Sequence, residues 1–125
     1  MRPRAPDGGG VRSALAELHP PLQRRLLPWV DAIEHAEVGA PDRLREAAQD
    51  TCTFLLRTVA LTAQMQRALV EARGATTGLT AAIETPGCLS FDGALEGASE
   101  AMVVLLWALR DAELSDTAGA IKRIW

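Results

Sequence analysis

The sequence predicts an all-α fold, a small helical bundle of three main helices, the second about 30 residues long, with short accessory helices. Three observations carry that expectation. Twenty-two alanines and seventeen leucines stand against nine threonines, seven valines and four isoleucines, and Ala and Leu give up least on entering a helix. Apolar residues recur at spacings of three and four, the period of one helix face. From Asp42 to Arg73, thirty-two residues pass without a Gly or Pro.

The elements follow in chain order. Met1 to Gly10 holds two prolines and three consecutive glycines, too little apolar surface to offset ordering, so residues 1–12 read as a flexible arm and 13–125 as one helical domain. Ser13 to Leu18 makes a short helical turn. It is broken at His19, Pro20 and Pro21, because a residue before proline is pushed out of the α region. Pro21 opens the first main helix, whose stripe is Leu22, Leu26, Trp29, Val30 and Ile33, opposite Arg24, Arg25, Asp31 and Glu34. Pro28 predicts a kink or a restart there. Gly39 closes this helix and Pro41 opens the next.

Asp42 to Arg73 then reads as one spine of roughly 47 Å at 1.5 Å per residue. Gly74 terminates it, and 74–87 becomes a connector with a short turn near Thr77 to Ile83. Ser90 or Asp92 caps the third main helix, with the stripe Leu95, Ala98, Met102, Leu105, Leu106 and Leu109. Gly93 and Gly97 suggest a close helix crossing there. Ser115 to Thr117 reads as the cap of a final short helix ending at Trp125.

Composition excludes several functions. A net charge of −3 supplies no global positive field for nucleic acid. The longest apolar run, Ala101 to Leu109, is nine residues, short of the roughly 18 that a membrane span needs. No secretory signal precedes Cys52 and Cys88, so a cytoplasmic protein with free, buried thiols is expected.

No chemical motif stands out. His35 has acidic neighbours in Glu34 and Glu37, but neither it nor His19 has metal-ligand spacing, and it reads as a solvated side chain. Glu96 and Glu100 share a helix face without the second helix that paired acid chemistry requires. The serines lack an elbow motif, and Arg24, Arg25, Arg43 and Arg45 have only Trp29 nearby, too thin an aromatic complement for single strands. No cofactor and no metal are expected.

The signal above background is apolar girth. Phe54 to Leu61 and Ala101 to Leu109 are apolar nearly all round, and such segments need cover on every side. The sequence therefore predicts a non-catalytic interaction module, an adaptor, regulator or homo-oligomeric scaffold. Its expected partner is a second copy or a partner helix, and its anchors are Trp29, Phe54, Leu56, Trp107 and Trp125. The alternative is a sensor or enzyme with an anionic-ligand site between helices near Arg57, a charge set inside an apolar segment.

Overall fold

The computed structural model describes residues 9–36, 41–58, 63–85 and 91–114. They form five α-helices with no strand among them: α1 (Gly9–Ala16), α2 (Pro20–Glu34), α3 (Pro41–Thr58), α4 (Ala63–Glu84) and α5 (Phe91–Leu114). Each helix packs on the next in sequence, and α1 also packs on α5, closing a ring around one core. The all-α class stands. Among the described residues the expected three main helices are four, α2 to α5, and α1 lies where a short accessory helix is expected.

The break between α1 and α2 follows from proline. Amides of Glu17 and Leu18 close α1 on the Ala14 and Leu15 carbonyls at 3.3 and 3.1 Å. Gln23 Nε2 donates to the Leu18 and Ala16 carbonyls at 2.6 and 3.1 Å, serving acceptors that a helix end leaves open. His19 is extended, with φ −57° and ψ 136°, as the following Pro20 requires. Prolines 20 and 21 then occupy the first helical positions, where a missing N–H costs nothing. The helix α1 begins at Gly9, inside the expected arm, because Val11, Ala14, Leu15 and Leu18 are all core residues. Burying them offsets the cost of ordering glycine.

The stripe predicted for α2 is its buried set: Leu22, Leu26, Trp29, Val30 and Ile33. The helix is unbroken through Pro28, contrary to a restart. Pro28 and Arg24 both lie on the exposed side, where water can serve the carbonyl that the proline frees. The helix ends at Glu34, before Gly39, with the His35 amide on the Asp31 carbonyl at 3.0 Å and the Ala36 amide on Ile33 at 3.2 Å. Pro41 opens α3 as expected.

The single spine is the largest correction. Its residues divide between α3 and α4, which lie antiparallel: Arg45 near the start of α3 pairs with Glu84 at the end of α4, and Cys52 faces Arg73. A straight rod would leave Leu44, Ala48, Cys52 and Leu55 without cover. Folding back places them in the same core as Met65, Leu69 and Ala72.

Gly74 does not terminate α4, which continues through Gly78 to Glu84, so the connector expected over 74–87 is largely helix. The reason is a stripe that ignores the glycines: Met65, Leu69, Ala72, Thr76 and Leu79 are all buried. Its helical period supplies packing that outweighs about 1 kcal/mol per glycine.

Small residues set the fit of α5. On this helix Ala94, Ala98, Ala101, Leu105, Ala108 and Ala112 recur at alternating spacings of four and three, and Ala68, Ala72, Ala75 and Ala82 line buried or half-buried positions of α4. Side chains this short let two helix backbones approach closely, and α4 with α5 is the most extensive pair in the molecule. Gly97 is not the source of a close crossing: a Cβ there would meet nothing within 4 Å, and Gly93 is exposed. The other side of α5 receives α1, where Arg110 pairs with Glu17. Arg12 in turn ties α1 to α2 through Asp31 and Glu34, at 3.1 and 2.6 Å. The expected final helix at Thr117 to Trp125, the arm residues 1–8 and Cys88 lie outside the described residues.

Candidate functional site

The ring places the nominated residues very differently from one another. Trp29 is fully buried at the centre, and its Nε1 donates to Thr76 Oγ1 at 3.0 Å across the core from α2 to α4. It is a core residue, closed to any partner. The cause is its place in the middle of the α2 stripe. Phe54 is half-buried, with the Arg25 guanidinium over its ring at 4.7 Å, an α2–α3 contact of cation–π type. Trp107 is half-buried in α5. Trp125 lies outside the described residues. Leu56 is the nominated apolar residue that faces water, at 59% exposure.

Arg57 also faces water, in the last turn of α3. The charge suspected of sitting within apolar surroundings therefore sits outside them, beside a helix C-terminus where a cation is favoured. The reason for an anionic site at Arg57 lapses.

The apolar girth of α5 is covered largely from within. Along α5, Met102, Leu105, Leu106, Ala108 and Leu109 are buried, and Ala101, Val103 and Trp107 are half-buried; Val104 is 45% exposed. The short helix α1, reckoned a minor element from sequence, packs on α5 and adds to the cover that α4 supplies. The remaining exposed large apolar side chains among the described residues are Leu27, Leu56, Val70 and Val104. Leu56 and Val70 stand on adjacent antiparallel helices, near the end where α3 gives way to α4. Glu46 and Asp50 are exposed on α3, and Arg67 and Arg73 on α4.

Among the described residues, concavities open on the surface between neighbouring helices. One lies between α1 and the start of α2, lined by Leu15, Pro20, Gln23, Arg24 and Leu27 among others. It is broad and shallow. The second is a groove of about 160 Å³ between α3 and α4, lined by Arg45 and Gln49 from α3 and Arg73, Thr76, Thr77 and Thr80 from α4. Thr76 and Thr80 are buried. Each hydroxyl donates within α4: Thr76 to the Ala72 carbonyl at 2.8 Å, Thr77 to Arg73 at 3.0 Å and Thr80 to Thr77 at 2.7 Å. Such local bonds satisfy a threonine inside a helix. Arg45 is held by Asp42 at 2.8 Å and by Glu84, and its hydrogen bond holds the Glu84 carboxyl below the usual carboxylate range against the opposing effect of burial. The sequence signal missed for this groove is the run of Thr76, Thr77 and Thr80 set between Arg73 and Glu84.

Cys52 lies behind the groove, 3% exposed. Burial pushes its thiol up to about 11 from 9.0, with Arg73 opposing, so at neutral pH it is a small apolar residue, the role expected of it. The unfolded chain ionises first, so this group's contribution to stability is present in full below pH 9 and is lost as pH rises through 11. The loss amounts to about 2 kcal/mol. Urea midpoints of the wild type and Cys52→Ala at pH 8 and pH 11 are expected to show a steeper alkaline fall in the wild type. Parallel falls would remove Cys52 as the cause.

His35 is exposed, with Nδ1 at 3.3 Å from the Asp31 carboxylate and 2.9 Å from the Asp31 carbonyl, a helix-end contact. Glu96 and Glu100 are exposed on α5. The basic patch drawn from Arg24, Arg25, Arg43 and Arg45 loses its aromatic, Trp29, to the core. Among the described residues no group of three or more His, Cys, Asp or Glu is placed to hold a metal ion, and no helix is long and apolar enough to cross a membrane.

The class that the described residues define is an all-α bundle whose helices share one apolar core. Comparison with known protein families, with curated proteins and with solved structures finds no match.

Proposed function

We propose that this protein is a non-catalytic helical interaction module that works as a homodimer, joined through the outer face of α3 and α4. The observation that carries this reading is the pair of apolar side chains Leu56 and Val70, 59% and 68% exposed on neighbouring helices. Both sit where the core has already taken what it can bury, so their burial needs a second surface. The occupant is a second copy because the charges on this face complement themselves. α3 exposes Glu46, Asp50 and Arg57 and α4 exposes Arg67, Glu71 and Arg73, and a twofold interface can set groups of opposite sign against each other. Apolar contact supplies the affinity and the flanking charges the register.

Sedimentation equilibrium at tens of micromolar tests it. The wild type is expected at twice 13.4 kDa, and Leu56→Glu with Val70→Glu at 13.4 kDa with unchanged helicity, since neither residue belongs to the core. A wild type that stays at 13.4 kDa at hundreds of micromolar overturns the proposal.

A further inference from the structure

The groove between α3 and α4 has a composition that the packing does not explain. Two arginines, a glutamine and three threonines, with Ala48, line about 160 Å³ between these two helices. No carboxylate is among the lining residues, although the chain as a whole is acidic. The threonine hydroxyls give their protons to α4 carbonyls, so they shape the groove without supplying donors to it. The donors left are the guanidinium groups of Arg73 and Arg45 and the amide of Gln49. Arg45 is already shared between Asp42 and Glu84. Arg73 makes no ion pair among the described residues, and its charge acts on the Cys52 thiol behind it.

We infer that this groove binds a small oxyanion, a carboxylate or a phosphate, with Arg73 as the principal ligand and Arg45 and Gln49 closing around it. Guanidinium groups match both oxyanions by paired N–H donors. The size of the groove selects the class. At a liquid-water share of about 30 Å³ per molecule, it holds a few waters' volume, enough for phosphate or a short carboxylate and below the roughly 300 Å³ of sites for larger ligands. Glu84 is the built-in competitor, since its carboxylate occupies the guanidinium that an incoming anion would use. The bound anion bridges α3 to α4 and so stabilises the folded hairpin by mass action. Arg73 also stands among the charges of the face assigned to the dimer, so the two readings share a residue, and the anion titration repeated on the Leu56→Glu, Val70→Glu variant separates them.

The structure contains its own reporter. The indole N–H of Trp29 is bonded to Thr76, a lining residue, and its resonance is assigned by its loss in Trp29→Phe. Inorganic phosphate and sodium acetate are titrated separately into the full chain, with chloride holding ionic strength constant. The expected result is a saturating shift of the Trp29 indole resonance with at least one of the two. It is accompanied by a rise in Tm of roughly 5 °C at ten times the dissociation constant. Phosphate alone, acetate alone or both identify the preferred oxyanion. Arg73→Gln, a change at an exposed position, is expected to keep the wild-type helicity and weaken binding at least tenfold. Glu84→Gln is expected to tighten it several-fold by releasing Arg45. No saturating shift with either anion, or the same titration in Arg73→Gln, overturns the site; unchanged affinity in Glu84→Gln removes Arg45 from it.

Discussion

Trp29→Ala is expected to lower stability by about 3 to 5 kcal/mol, the usual cost of truncating a fully buried tryptophan. The structure puts it at the upper end of that range. Trp29 is the largest wholly buried side chain, and its ring spans from α2 to Thr76 on α4. Truncation leaves a void that helices on opposite sides of a ring cannot collapse into, and it strips Thr76 Oγ1 of a donor in a buried place. A single domain of this size has roughly 5 to 15 kcal/mol in hand, so the variant is expected to be marginal at 37 °C. Urea denaturation checks this through the midpoint, with the slope unchanged. Trp29→Phe is expected to lose less, since the ring volume largely remains. A loss under 1 kcal/mol for Trp29→Ala would mean that the residue is not at the centre of the bundle.

The second large effect has the opposite sign. Gly74→Ala, Gly78→Ala and Gly97→Ala together are expected to raise stability by about 2 to 3 kcal/mol. All three lie inside helices, none has the backbone conformation that favours glycine, and an added Cβ at each meets nothing within 4 Å. The gain comes from the unfolded chain, which loses freedom it would otherwise surrender on folding. Thermal unfolding by circular dichroism is expected to move up by roughly 10 °C. A drop in Tm for Gly74→Ala would show that α4 is interrupted there, as its glycine suggests on a sequence reading.

That contrast between glycine and stripe shows what the sequence makes legible. The α2 face, the proline-opened helices and the all-α class are readable because local rules and long-range packing agree there: Leu22, Leu26, Trp29, Val30 and Ile33 form one face and all are buried. The spine is misread because the same period runs through Leu55, Thr58, Thr62 and Met65. Periodicity reports which residues share a face, and it is silent on whether a reversal interrupts that face. What reverses the chain is the core formed by α3 with α4, a property of two segments together. At Gly74 the error has the other form, a local stop signal overridden by the continuing stripe to Thr76 and Leu79.

The site is less legible still. Leu56 and Trp29 look alike in sequence as large apolar residues on amphipathic helices, yet one is exposed and the other sealed. Their difference depends on which neighbour covers each face. The groove at Arg73 needs Arg45, 28 positions away, to lie across from it, and only the folded-back arrangement brings the two to one place.

Closure of the ring by α1 has a consequence for how the chain is made. The seat for Val11, Leu15 and Leu18 is furnished in part by α5, so α1, made before α5, must wait for it before it can dock fully. Until then the greasy side of α1 lacks that shelter, and the nascent polypeptide passes through a stage when α1 to α4 are made and the enclosure is still open.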